Sequence, residues 1–517
     1  MATNEQVFGT WLLIALYSGA ILYFVIRGAR RVKSMTDYAL GSVSFSPYSV
    51  GLSLAAAITS AATFVINPGL IANYGISGVL SYAVFFPLAT VVALAVLTKS
   101  FRHFGQSVSA VSIASWMEKK YNSKSYALFI AILSVLLITF IVLILVALTK
   151  VFASALNANE ITVLAVIVLF VFGYMMFGGA NAMVYTNTIQ ALIMIVVAII
   201  LIFSGIHHLN DGFGAFIDKL SSIDPSLTKP TNPKSPLFRD FYEIIFAQIV
   251  VGLAVVCQPH IITKSLLLKK ESDVNKFLAT SIIVELLFFS VVIAGLWARI
   301  EFPDLTLNGI ALTNDSIIPT YVVKVFSNGI FATVVGLLVI LGLISAGMST
   351  LEGLIQSLSS SINNDIVKPL WGEKRKLSNK QYLSANRIII AALALVSFLI
   401  ARDQLLNPKL SVAILAQNGV YAYFSIIFVP ILMGIFLKDV KSWIPFLASI
   451  AAAVTHFSVY YILPYLHETY SIGFGFFNTY LEGIVRNPAI AASSAIVISV
   501  IFGFGALFIS RLGRKTE

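Results

Sequence analysis

The 517-residue chain has little charge: Asp, Glu, Lys and Arg make up 11% of it, where soluble globular proteins carry about 25%. A water-soluble fold of this length could not cover its surface with so few charges. Acid is the scarcer sign, with 23 Asp and Glu against 34 Lys and Arg. The excess of base does not point to nucleic acid, because the basic residues sit between apolar runs and form no patterned patch. There is one cysteine, Cys257, which excludes an internal disulfide and a cysteine-built metal centre. No phosphate loop, no HExxH and no strand-borne GxGxxG occurs, so soluble-enzyme chemistry has no foothold.

What the chain has is hydrocarbon. Hydrophobic residues make up 58%, and the mean hydropathy is +0.92. Disorder, coiled coil and collagen are excluded by the same figures. The composition predicts an all-α integral membrane protein.

A bilayer core of about 30 Å needs roughly 20 apolar residues per helix. That ruler gives thirteen spans: 8–27, 47–70, 77–98, 124–150, 160–180, 183–206, 240–263, 274–299, 329–360, 384–402, 411–437, 443–464 and 488–510. The first follows MATNEQ, with no basic segment or small-residue cleavage site, and reads as a retained helix. With the N-terminus outside, the inner segments hold 24 of the 34 Lys and Arg. These include Lys119 and Lys120, Lys269 and Lys270, Lys374, Arg375 and Lys376, and Arg514 and Lys515. Excess base marks cytoplasmic loops, so the expectation is a multi-pass protein of the plasma (inner) membrane with a cytoplasmic C-terminus. The polar stretches 207–239, 300–328 and 465–487 fall outside, and the first two carry signals for turns and short helices.

Spans two to six and seven to eleven overlay as two sets of five. Five is odd, so the second set runs inverted, an arrangement common in transporters with sites where helices break at the midplane. The expected organisation is one transmembrane domain: an extra helix at 8–27, repeats at 47–206 and 240–437, and two C-terminal helices at 443–510.

Breaks should show as hydroxyls, Gly or Pro within apolar runs. The stretch SLAAAITSAATFVINPG at 53–69 has Thr59, Ser60, Thr63, Asn67 and Pro68, beside the small Ala55, Ala56 and Ala57. Unwinding there would free carbonyls for a cation; the alternative is plain helix packing. In the ninth span, Ala346, Ser349 and Thr350 fall within little more than one turn. Hydroxyls and carbonyls are hard neutral ligands that suit Na⁺ and not a transition metal; alternatively, the hydroxyls bond back to their own helix.

Four motifs then carry a resemblance: SLAAAITSAATFVINPG at 53–69, GGANAMVYTNTIQALIM at 178–194, QPHIITK at 258–264 and SAGMSTLEGLIQSLSSSINND at 345–365. From the second span to about residue 440 the chain resembles the sodium/solute symporter family of sodium-coupled sugar, proline, pantothenate, sialate and monocarboxylate carriers. The resemblance implies a leucine-transporter-type fold and alternating access. It implies a Na⁺ site on carbonyls of Ala56, Thr59 and Ala346 and hydroxyls of Ser349 and Thr350. Two departures stand out. Asn187 replaces the family's usual Asp, while Glu352, followed by Gly353, stands where relatives hold a second sodium with hydroxyls. Asn187 and Glu352 are therefore candidates for a second cation or coupling site. Lys264 replaces a common Arg, keeping charge but losing the planar fork.

The substrate is expected between spans two, three, four, seven and eleven, with Ser60, Thr63, Phe64, Gln417 and Asn418 as candidate contacts. Spans three and four offer few polar groups, and each unmet hydrogen bond of a sugar costs about 1–3 kcal/mol. A small organic acid or amino acid is favoured over a sugar, its carboxylate meeting a half-helix N-terminus. The alternative function is a membrane sensor that keeps the transporter fold without turnover. Glu285, inside an apolar span, is expected to make a helix–helix hydrogen bond in preference to a transport role, and His260 to pack or gate.

Overall fold

The computed structural model describes residues 2–327, 329–372, 377–407 and 412–512. Lys374, Arg375, Lys376, Arg514 and Lys515, all counted on the inner side, lie outside the described residues, as does residue 411 at the start of the eleventh expected span.

The helices are built for lipid. Asn4–Ala29 starts in a capping box, with Thr3 accepting from the Gln6 amide. Its buried positions include Gln6, Thr10 and Gly28, while Phe8, Trp11, Leu16 and Tyr23 are exposed. That distribution is the reverse of a soluble helix, because hydrocarbon is the solvent and polar groups must find partners inside. Gln6 finds one in the Phe326 carbonyl at 3.1 Å.

Among the described residues ten helices are long and apolar enough to cross a membrane, and two bent pairs bring the count to as many as twelve. The expected thirteen separates 160–180 from 183–206, whereas here helix runs continuously over Glu160–Phe203 apart from Gly179, at φ 57° and ψ −163°. The chain reverses there. Tyr174 and Gln190 both donate to the same oxygen of Glu352, at 2.6 and 3.2 Å, although a straight helix would hold those two positions about 24 Å apart.

The bent pairs are Pro47–Ile58 with Ala62–Tyr74, at 53°, and Tyr242–Val255 with Pro259–Leu267, at 55°. Each break has a local cause. Thr59 leaves helical geometry at φ −93° and ψ 89°, and the Ser60 hydroxyl then accepts from the Ala62 amide at 3.1 Å, restarting the helix. In the second pair Gln258 is extended and Pro259 opens the next turn, where its missing N–H costs nothing.

The one departure from helix among the described residues is a short hairpin in a loop. Thr306–Leu307 and Ile310–Ala311 form a two-stranded hairpin with Leu307 opposite Ile310. Its turn is Asn308-Gly309, both at positive φ, the pair that a tight hairpin turn favours.

Candidate functional site

The first break and the long helix Ile330–Ser361 come together in the protein interior. Ala56, Thr59, Ala346, Ser349 and Thr350 are all fully buried. The Ser349 hydroxyl donates to the Ala56 carbonyl at 2.8 Å and lies 3.1 Å from the Ala346 carbonyl. The Thr350 hydroxyl faces the carbonyls of Ala56, Ala57 and Ala346 at 3.3–3.4 Å. Ala57 is an addition to the expected set. Thr59 sits at the break, its hydroxyl turned back to Ala55 at 2.5 Å. Its carbonyl loses the usual helical donor, because the Thr63 amide goes to Ser60 at 2.9 Å. Four of the five expected residues are joined by hydrogen bonds, and the fifth carries a carbonyl released by the break. All the donors to an ion here would be hard, neutral oxygens, which fit Na⁺.

Asn187 and Glu352 adjoin this cluster in different ways. The Asn187 amide donates to the Ser349 carbonyl at 3.3 Å. Glu352 is fully buried and accepts from Tyr174, Thr186 and Gln190 at 2.6, 2.5 and 3.2 Å. Gln190 also reaches the Tyr17 hydroxyl at 2.9 Å. Both arms of the Gly179 reversal thus grip one carboxylate, which offsets the cost of burying its charge. Thr186 and Gln190 lie one turn apart in a motif legible in sequence; Tyr174 had no signal, because only the reversal brings it near.

Lys264, at the end of the second bent pair, donates to the Ser53 carbonyl and hydroxyl at 2.6 and 2.7 Å. The two broken helices are therefore tied directly to each other.

Past the break lies a cavity of about 90 Å³, bordered by Ser60, Thr63 and Gln417 together with Tyr82, Phe140, Gln258, His260 and Tyr421. Gln417 donates to the Tyr82 hydroxyl at 3.3 Å. His260 packs beside the Phe140 ring at 6.0 Å, and among the described residues neither ring nitrogen has a hydrogen-bond partner. Gln258, His260 and Tyr82 were not foreseen as lining residues. Pro259 was the available signal, since a restarted helix presents its first turn to whatever lies at the break.

Two candidate contacts face elsewhere. Phe64 is fully buried against Phe288, ring centres 5.5 Å apart, and does not border the cavity. Asn418 points to the C-terminal helices, donating to Tyr461 at 2.6 Å and meeting His456 at 3.0 Å. Consecutive positions on a helix differ by about 100° in direction, so Gln417 and Asn418 could not share one target. Glu285 also departs from expectation: it is fully buried, and neither carboxyl oxygen has a hydrogen-bond partner among the described residues.

The pattern that defines the Sodium:solute symporter family matches residues 38–450. The chain belongs to this family. Among its relatives is a sodium/pantothenate symporter of Haemophilus influenzae, 28% identical over 396 residues, covering 75% of this chain and 77% of that one. A sodium/proline symporter of Staphylococcus aureus is 25% identical over 451 residues, covering 84% of this chain and 82% of that one. In fold, the chain is similar to a solved Na⁺-coupled sialic acid symporter in a substrate-bound outward-open state, with a TM-score of 0.73, 17% identity and 96% of each chain covered. As a member of the Sodium:solute symporter family, the protein is a multi-pass membrane carrier that couples solute uptake to Na⁺, and it is not an enzyme.

Proposed function

We propose that this symporter carries a small carboxylate-bearing solute, held in the cavity beyond the first break, with Na⁺ held by Ala56, Thr59, Ala346, Ser349 and Thr350. One observation carries the reading: a single break, at Thr59 and Ser60, separates the oxygen cluster from the cavity by less than one helical turn. An ion drawing Ala56 and Thr59 toward Ser349 also sets the half-helix that presents Ser60 and Thr63. Solute and ion then stabilise the same backbone arrangement, which is what coupling requires.

Ser60, Thr63 and Gln417 are the solute contacts in this reading. The half-helix that starts at Ala62 has the positive end of its dipole at the break, a favourable place for a carboxylate. Aromatic walls from Tyr82, Phe140 and Tyr421 suit a partly apolar body. The relatives named for pantothenate, proline and sialic acid all carry solutes with a carboxylate. Glu352, with both oxygens occupied by donors, acts as a fixed negative charge that tunes a single Na⁺, and Asn187 positions the Ser349 carbonyl.

The chain is further proposed to span the membrane thirteen times, with inverted repeats at 47–206 and 240–437, an outer N-terminus and a plasma-membrane location. The reversal at Gly179 supports counting two spans within Glu160–Phe203, and the near-equal bends of 53° and 55° at the starts of the two sets support the repeat.

Purified protein in proteoliposomes, given an inward Na⁺ gradient and a panel of labelled pantothenate, proline, sialic acid and glucose, tests the substrate class. Sodium-driven accumulation of a carboxylate and not of glucose is expected. Accumulation of glucose alone would overturn the class.

A further inference from the structure

A second, larger cavity lies away from the transport path. It has a volume of about 670 Å³ and is bordered by the end of Asn4–Ala29, the arm before Gly179 and the start of Asn379–Leu406. Its walls are largely apolar and open outward: Leu169 is 76% exposed and Phe177 is 47% exposed. Two guanidiniums stand at it, Arg30 and Arg387, both exposed. Arg387 is held over the Phe177 ring at 4.6 Å. Among the described residues neither arginine has a carboxylate within 4.0 Å. Also bordering the cavity is Asn386, 1% exposed, whose amide makes no well-formed hydrogen bond among the described residues and has only the Tyr38 hydroxyl as a weak neighbour. A buried amide this poorly satisfied keeps hydrogen-bonding capacity for a polar ligand atom.

We infer that this groove binds an anionic phospholipid, its phosphate against Arg30 and Arg387, an ester oxygen at Asn386 and an acyl chain along the apolar wall. Charge complementarity decides the occupant: an apolar trough alone would take any lipid tail, but two arginines with no carboxylate partner among the described residues stand at its edge and select a phosphate. Basic pockets between transmembrane helices are suited to such headgroups. Other basic residues of the same chain end, Arg27, Arg31 and Lys33, are exposed and raise the local potential further.

The groove also has a route to the transport machinery. Tyr174 borders it and donates its hydroxyl to Glu352 at 2.6 Å. Tyr38, on the same wall, donates to the Met175 carbonyl at 2.9 Å. A lipid seated there packs behind the arm that grips the buried acid, so its occupancy steadies the reversal at Gly179. The inference does not depend on which solute is carried.

Gly173 offers a clean steric test. It borders the groove, and a Cβ built on it meets nothing within 4 Å, so a larger side chain can leave the helix there toward the lipid's space. The experiment is native mass spectrometry of purified protein titrated with phosphatidylglycerol or phosphatidylcholine, on wild type, Arg30→Gln, Arg387→Gln, Gly173→Phe and the control Arg27→Gln. The expected results are retention of phosphatidylglycerol over phosphatidylcholine, about fivefold weaker retention for each of Arg30→Gln and Arg387→Gln, and loss in Gly173→Phe despite its intact charges. Arg27→Gln, at a position that does not border the groove, should lose clearly less than either groove arginine variant. Equal retention by all forms overturns the site. Loss in the arginine variants with none in Gly173→Phe also overturns it, leaving only surface electrostatics. Competition by millimolar inorganic phosphate as effective as the lipid would reduce the groove to a headgroup anion site and overturn the acyl assignment. Should the variants not fold, photoactivatable phosphatidylglycerol on wild type decides: labelling within 22–32, 169–177 and 383–387 supports the site, and labelling confined elsewhere refutes it.

Discussion

The Ser349 hydroxyl donates to the Ala56 carbonyl over 2.8 Å, closing a contact between residues 293 positions apart in sequence. It joins a helix that is regular throughout to one that is broken three residues later, at Thr59. A carbonyl engaged this way lies where an ion ligand is needed, and its position depends on both helices.

Replacing Ser349 or Thr350 with Ala should weaken sodium dependence about tenfold or more, since one lost ligand is worth roughly 1.4 kcal/mol. Sodium titration of uptake in proteoliposomes measures it. Unchanged sodium affinity in both variants would remove these hydroxyls from the ion site.

Glu352→Gln should weaken sodium affinity by about tenfold or more, because a charge within about 10 Å in an effective dielectric of about 20 is worth at least roughly 1.5 kcal/mol. The Hill slope should stay unchanged if the carboxylate tunes one ion. A slope that drops on substitution would make Glu352 a ligand of a second cation. If affinity, slope and pH profile all stay put, Glu352 has no part in coupling.

Gln417→Ala should raise the solute KM about fivefold to tenfold while leaving sodium affinity alone, the cost of about one hydrogen bond. Asn418→Ala, facing Tyr461 and His456, should instead lower stability with little change in KM. The reverse pattern would exchange their roles.

Gly179→Ala should cost about 1–3 kcal/mol of stability. Its φ of 57° with ψ −163° is a region nearly closed to residues with a Cβ, and a Cβ there would lie 2.8 Å from the Tyr38 ring. Thermal unfolding in detergent reads the loss. An unshifted transition would mean that the backbone relaxes freely at the reversal.

In a Cys257→Ala background, Lys229→Cys should react with an impermeant reagent from outside intact cells and Lys119→Cys should not. Both positions are exposed. Labelling of residue 119 alone would invert the proposed orientation.

Much of this molecule is legible without coordinates. Scarce charge forces a membrane fold, and the Thr59-Ser60 and Gln258-Pro259 steps mark the breaks. In both, the physics is local: a hydroxyl that caps, or a proline that cannot donate, acts within one turn. The hydroxyls of Ser349 and Thr350 are visible for the same reason, being adjacent on one helix. What sequence alone left undetermined is direction. Apolar spans carry residues of one character on every face, so no periodicity tells lipid from core. Hence Phe64 and Asn418 read as equal to Thr63 and Gln417 until packing turned them away. The three donors on Glu352 are also a tertiary matter. Tyr174 and Gln190 meet there only because Gly179 reverses the chain, and a contact made across a fold leaves no trace in local pattern.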